Sequence, residues 1–168
     1  MKKLLLSATM LFLLAFNAEA QDRKNAIGLR LGDNDGFGGE VSYQRYLNSG
    51  NRLEFDLGWR DSKYYDAVKL VGLYQWVWNI EGGFNWYAGV GAGVGTWSID
   101  DDRFDNDFRG RDDSGAFGLV AGDIGIEYNF DFPLQLSLDF RPELYFSGDD
   151  FREDNFGPDI ALGVRFRF

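Results

Sequence analysis

Cysteine and histidine are both absent from this chain of 168 residues, and proline occurs only three times. Without cysteine there is no disulfide framework and no thiol for lipid attachment behind a leader, so stability must come from packing and hydrogen bonding. Without histidine the chain lacks the side chain that ordinarily titrates near neutral pH and most often serves as general acid or base. Positive charge is scarce: 17 Lys and Arg stand against 27 Asp and Glu, for a net charge of −10. Phosphate contacts need clustered cations, so nucleic acid is set aside as a partner. Beyond the first residues there is also no continuous apolar run approaching the ~20 residues of a membrane-spanning helix. If this chain crosses a bilayer, it does so with strands.

The start of the chain has the pattern of an export signal. Met1-Lys2-Lys3 is basic, Leu4 to Phe16 is short and mostly apolar, and Ala18-Glu19-Ala20 has the small-residue spacing of a cleavage site. Residues 1–20 are therefore expected to be a signal peptide, with the mature protein, 21–168, forming a single domain. Removing Lys2, Lys3 and Glu19 makes the remainder one charge more negative. The mean hydropathy of −0.31 does not argue against a membrane barrel, because only the outward half of each strand has to be apolar.

The final segment carries the main architectural signal. Ile160, Leu162, Val164, Phe166 and Phe168 occupy every second position, with Arg165 and Arg167 between them. A strand has this period, since successive side chains point to opposite faces. The same alternation predicts eight strands: Asn25 to Leu31, Phe37 to Leu47, Arg52 to Arg60, Ala67 to Ile80, Phe84 to Ile99, Ala116 to Phe130, Leu134 to Phe146 and Gly157 to Phe168. Tight turns are expected at Asn48-Ser49-Gly50-Asn51, Glu81-Gly82-Gly83 and Asp131-Phe132-Pro133, which are rich in turn-forming residues. Longer connections run through 61–66, 100–115 and 147–155, while the one at 32–36 is short. Short turns at one end and longer loops at the other describe an up-and-down antiparallel transmembrane β-barrel, all-β and eight-stranded.

Parity within each strand assigns the faces. Leu53, Phe55, Leu57 and Trp59 share one side, and Arg52, Glu54, Asp56 and Arg60 the other. Between Leu134 and Leu144 the apolar set is Leu134, Leu136, Leu138, Phe140 and Leu144, against Gln135, Ser137, Asp139, Arg141 and Glu143. The charged side is expected to point inward, with Arg30, Glu40, Lys69, Asp123, Glu127, Arg165 and Arg167 joining it from the other strands. An eight-stranded interior is only wide enough to be filled by side chains, so these charges should pair as a plug instead of lining a channel. Gly89, Gly91, Gly93 and Gly95 fall on the inward face of the fifth strand, where they leave room for bulky neighbours. The outward set beside them is Trp86, Ala88, Val90, Ala92 and Val94. No helix and no Lys follows to complete a phosphate-binding glycine loop.

Aromatic residues make up 17% of the chain and fall into two expected girdles. Trp76, Trp78, Trp86, Tyr128, Phe130, Phe132, Phe166 and Phe168 are placed near the turns, and Tyr43, Trp59, Trp97 and Phe146 near the loops. A soluble sandwich or lipocalin-like barrel would invert the pattern, with an apolar interior and a polar exterior.

The leader, the strand and turn alternation and the closing Gly163-Val164-Arg165-Phe166-Arg167-Phe168 resemble the small eight-stranded outer-membrane barrels of the OmpA and OmpX type, a porin-family-like architecture. The likeness covers nearly all of 25–168. It implies the outer membrane of a Gram-negative bacterium, lipid and lipopolysaccharide as surroundings, and insertion by the barrel-assembly machinery, which would read Phe166 and Phe168 as an assembly signal. It does not imply the peptidoglycan tether of longer relatives, since no periplasmic domain follows the barrel. Enzymes on similar scaffolds resemble one another in relying on a histidine, so none of their mechanisms maps onto this chain, and a non-enzymatic monomer is expected.

Two acidic, aromatic segments stand out on the expected loop side. The first carries Asp101, Asp102, Asp105 and Asp107, and the second Asp149, Asp150, Glu153 and Asp154. Solvated loops are the plain reading. The sharper one is that their carboxylates bind Ca²⁺ or Mg²⁺, which favour oxygen ligands. Asp33-Asn34-Asp35-Gly36 with Glu40 resembles part of an EF-hand loop but lacks its spacing, and reads as a hairpin turn. The function these observations suggest is a structural or surface-interaction barrel with a plugged polar lumen and no cofactor beyond such ions. A narrow small-solute or ion pore is the alternative.

Overall fold

Two-residue alternation becomes eight strands that pair in sequence order and close on themselves. They are β1 (Asn25–Leu31), β2 (Glu40–Tyr46), β3 (Asn51–Ser62), β4 (Tyr65–Glu81), β5 (Phe84–Ser98), β6 (Ser114–Asn129), β7 (Leu134–Ser147) and β8 (Phe156–Arg167). The computed structural model describes residues 23–32, 39–62, 65–98, 114–147 and 155–168. Every pair is antiparallel, including the β1–β8 pair that closes the barrel, where Gly28 lies opposite Arg165 and Leu31 opposite Leu162. Closure extends to Phe168, whose backbone exchanges hydrogen bonds of 2.9 and 3.0 Å with Asn25. Closing the sheet removes the unpaired edges that an open sheet would expose.

The predicted elements and the observed ones agree to within two or three residues where both ends are described. Their short connections define one end of the barrel, here the turn end. In the β4–β5 turn Gly82 takes a φ of +55°, a left-handed conformation that glycine adopts without a Cβ clash. A bulge between Asn79 and Glu81 precedes it. The opposite, loop end includes the connections through 33–38, 63–64, 99–113 and 148–154, which lie outside the described residues. Proline interrupts one ladder. The β6–β7 register passes from Ala121 opposite Glu143 to Ile124 opposite Phe140, skipping Pro142, which has no N–H to donate.

The two faces have opposite chemistry, and their order is inside-out relative to a soluble protein. Large exposed apolar side chains stand outward on every strand except β2, among them Leu29, Phe55, Leu70, Val90, Ile124, Leu138 and Leu162, each 43–57% exposed. A monomer in water rarely exposes a contiguous apolar patch beyond a few hundred Å². The inward face instead buries five cations and eight carboxylates among the described residues.

Outward aromatic side chains concentrate toward the turn end. Trp78 stacks on Trp86 with centroids 4.2 Å apart, and Phe84, Tyr128, Phe130 and Phe132 follow one another at 4.5 to 5.0 Å. At the loop end Trp59 and Phe146 are exposed. Two residues depart from the expected girdles. Tyr43 belongs with the turn end, since its hydroxyl donates to Asn25 Oδ1 at 3.0 Å. Trp97 sits on the inward parity of β5 and packs against the apolar residues of the lumen, so it is no part of the outer band. The two displacements have different causes: strand tilt moves residues of equal sequence depth to different heights, as for Tyr43, and parity outranks composition in choosing a face, as for Trp97.

Candidate functional site

The lumen is the one place where the chain collects chemically active groups among its described residues, and β1 begins it. Arg30 donates from Nη1 to Glu40 Oε2 at 3.1 Å and to Asp159 Oδ2 at 2.5 Å, and from Nε to Asp139 Oδ1 at 3.0 Å. Its Nη2 also pairs with Asp139. From β7, Arg141 reaches the same cluster: Nη2 donates to both Glu40 oxygens at 2.6 and 2.7 Å, and Nη1 to Asp56 Oδ2 at 2.9 Å. Its Nε lies 2.9 Å from Glu143 Oε1 as an ion pair. Lys69 of β4 completes the layer, with Nζ 3.0 Å from Glu143 Oε2 and 3.2 Å from Glu40 Oε1. Glu40 thus meets three cations from three other strands.

A second layer lies nearer the turn end. Arg165 Nη2 donates to Glu54 Oε1 at 2.5 Å, Nε to Ser42 Oγ at 2.8 Å, and Nη1 to Ser137 Oγ at 2.7 Å. Glu54 Oε2 accepts from Gln44 at 2.7 Å and from Gln75 at 2.9 Å, and Gln75 also donates to Asp123. Arg52 forms the last layer. Its Nη1 lies 2.5 Å from Glu127 Oε2, and its guanidinium carbon sits 4.6 Å from the Tyr87 ring centroid. All twelve residues expected in the inner charge network, Arg30 through Arg165, are therefore inside the barrel. Arg167 is half-buried at the turn-end mouth, and the side chain of Arg60 is outside the described set.

Three features of the lumen add to the expected charge network. Asp159, two residues into the usable part of β8 and beside Pro158, is a full member of the network; its parity was the signal that could have found it. Ser42, Gln44 and Gln75 join the expected Gln135 and Ser137 as uncharged residues buried among the ions, and four of these five donate to or accept from the layers just described. Finally, the lumen is not ionic throughout. Val71, Leu73, Phe117, Leu119, Ala121 and Tyr145 form a buried apolar cluster against Trp97 on the β4–β7 wall. The glycine run of β5 makes the cluster possible: a Cβ built on Gly91 would lie 2.8 Å from Leu73 Cδ2, and one on Gly95 would lie 2.2 Å from Phe117 Cζ.

Such an arrangement cross-links distant strands. Desolvating ions is costly, and a buried pair recovers that cost only with good geometry and further hydrogen bonds. The layers supply both, since each guanidinium is shared among carboxylates, hydroxyls or amides. No group of three or more potential metal ligands occurs among the described residues. The loop candidates Asp101, Asp102, Asp105, Asp107, Asp149, Asp150, Glu153 and Asp154 lie outside them, as does the Asp33 to Gly36 segment.

Comparison with known proteins supports the architecture. No protein-family model matches the sequence, and no curated protein matches it. Solved structures do. The N-terminal β-barrel domain of Pseudomonas aeruginosa OprF is similar at a TM-score of 0.63 with 14% identity, over 88% of this chain and 100% of that one. Neisserial surface protein A is similar at 0.57 with 13% identity, over 86% and 94%. The attachment invasion locus protein Ail of Yersinia pestis is similar at 0.51 with 17% identity, over 86% and 96%. At these identities the likeness is one of fold: the chain has the fold of the small eight-stranded outer-membrane barrels.

Proposed function

We propose that this protein is an integral outer-membrane β-barrel of a Gram-negative bacterium, monomeric and non-enzymatic, whose lumen is closed and whose work is structural or interactive at the cell surface. The observation that carries this is the inversion of the two faces, with an apolar exterior around an interior of paired ions. Hydrocarbon is the solvent that makes such an exterior favourable. Residues 1–20 would direct export, and the barrel-assembly machinery would engage β8, where the outward Phe166 and Phe168 stack at 6.4 Å. Turns would then face the periplasm, and loops would face outward among lipopolysaccharide. The acidic loop residues would meet surface partners there, or bind Ca²⁺ or Mg²⁺ and so bridge neighbouring lipid phosphates.

Fractionation of expressing cells, with gel migration before and after boiling, tests the location. A folded barrel is expected in the outer membrane and to migrate anomalously until boiled. Planar-bilayer recording of the same material tests the closed lumen: no stable single-channel steps are expected, and regular steps would replace the plug with the pore reading. Protease cleavage of the loops with and without Ca²⁺ tests the metal reading, which fails if the ion gives no protection.

The lipid-facing assignment also predicts a mutational asymmetry. Leu162 is 49% exposed and flanked on the outer face by Leu31 and Leu138. Leu162→Arg is expected to destabilise the vesicle-inserted barrel by about 2–4 kcal/mol if the position lies near the midplane. Urea unfolding followed by tryptophan fluorescence would measure it, and an unchanged midpoint would contradict hydrocarbon contact at that face.

A further inference from the structure

We propose that the turn-end mouth of the barrel is a binding site for a small soluble oxyanion, a solute carrying phosphate or carboxylate groups. A cavity of about 460 Å³ opens there, bounded by Arg23, Lys24 and Arg167 on the β8–β1 side, with Asn48, Asn79 and Tyr46 around the rest of its wall. Its size falls within the range of small-molecule pockets and exceeds what a single inorganic ion fills. Among the described residues no carboxylate lines it, although the chain as a whole carries a net charge of −10. Three cations gathered against that trend make a local positive field with walls of low dielectric, which concentrates anions.

The floor explains why these cations are available. Glu127, a buried carboxylate bonded to the lining residues Tyr46, Asn85 and Asn129, has its acceptor capacity already taken. Arg52 pairs with it at 2.5 Å, while the Tyr46 hydroxyl, Asn85 Nδ2 and Asn129 Nδ2 donate to it at 3.1, 3.0 and 3.2 Å. Arg167 is left over the cavity, and its buried Nε has no hydrogen-bond partner among the described residues. A buried donor without a partner is costly, and an oxyanion would satisfy it by a charge-assisted bond. Neighbouring contacts hold the cationic side in place: Arg23 Nη1 donates to the Asp131 carbonyl at 3.3 Å, and the Arg167 backbone N–H to that of Pro133 at 3.2 Å.

Approach is axial. Tyr46, Asn79 and Arg167 occupy inward positions of β2, β4 and β8, whereas the aromatic band stands on the outer face. A solute in the adjoining aqueous compartment reaches the cavity directly, and a lipid headgroup would have to bend over the rim. Which compartment this is follows from the proposed orientation, but binding itself does not depend on it.

The test uses the refolded barrel in zwitterionic micelles, with the Arg Nε–H signals followed by NMR during titration with sodium phosphate and, separately, citrate. Sodium chloride at matched ionic strength is the reference. A saturating shift of the Arg167 signal is expected with the oxyanions and not with chloride. Arg23→Gln with Lys24→Gln, both outside the strands, should weaken the apparent affinity by about 10-fold or more while leaving heat-modifiable migration intact. Arg167→Gln should abolish saturation read from the Asn48 side-chain amide. Shifts that track ionic strength alone, or a double variant that titrates like the parent, would overturn the proposal. Saturation that appears only when phosphatidylglycerol replaces zwitterionic lipid in nanodiscs would also overturn it, by assigning the site to lipid.

Discussion

Arg141→Met is expected to destabilise the barrel by about 3–5 kcal/mol, the range for removing one partner from a buried ion pair. The reason is what remains behind. Arg141 is fully buried and meets Glu40, Asp56 and Glu143 within 2.9 Å, with Asp159 at 3.8 Å. Methionine fills much of the volume but neutralises nothing, so Glu40, Glu143 and Asp159 would be left to Arg30 and Lys69, and Asp56 would lose its ion pair. All four carboxylates are buried, with little access to water that could solvate them. Arg141→Lys keeps the charge but replaces a planar fork that bridges three carboxylates with a single ammonium, and should fall between parent and methionine. Adding Glu40→Gln to Arg141→Met should recover part of the loss, because one orphaned charge is then gone. Urea titration of the vesicle-inserted proteins, read by tryptophan fluorescence, gives all three comparisons. A methionine variant within about 0.5 kcal/mol of the parent, the scatter of ordinary surface changes, would show that the ionic layer does not hold the barrel together.

Gly28→Val should prevent the barrel from closing. Gly28 faces inward on β1, where it meets β8, and a Cβ there would stand 2.0 Å from the Val164 carbonyl oxygen and 2.6 Å from Arg165 Cα. Both are backbone atoms, so no rotamer change relieves the overlap, and the strands would have to part at the seam that joins the two ends of the chain. Overpacking commonly costs about 1–3 kcal/mol and occasionally more; a clash with backbone at the closing pair belongs at the upper end. Gly118→Ala is the control. It points outward from β6, and its nearest neighbour would be the Gly93 carbonyl oxygen at 3.9 Å, so it should fold as the parent does. The fraction migrating as folded barrel on an unboiled gel, after refolding into vesicles, measures both. Equal folding of the two variants would refute the close approach at the β1–β8 seam.

These two sites separate what can be read along a chain from what cannot. Alternation over Arg52 to Trp59 or Leu134 to Leu144 is sufficient to sort inward from outward residues, because a strand has only two faces and a period of two. The count of strands, the turn and loop ends and the inward glycines of β5 follow from the same local rule. The alternation also placed Arg141 and Glu40 on the inner face. It could not bring them together, since they are 101 residues apart in sequence.

Height in the barrel is where local reading fails. Parity tells which way Tyr43 points, but tilt and stagger bring its hydroxyl to Asn25 at the turn end. Trp97 was drawn to the outer band by its residue type, while its odd position on β5 turns it inward onto Phe117 and Leu119. The same limit hid the apolar wall at Val71, Leu73 and Tyr145, whose cohesion depends on the glycines of a neighbouring strand.

From the sequence alone come the all-β barrel, the inversion of polar and apolar faces and the inner charge set apart from Asp159, each a consequence of geometry within a single strand. The tertiary structure decided the pairing of those charges, the apolar cluster beside them and the cationic mouth at Arg23, Lys24 and Arg167. Those depend on which strands become neighbours and how far each is staggered against the next, and closure of the whole barrel sets both at once.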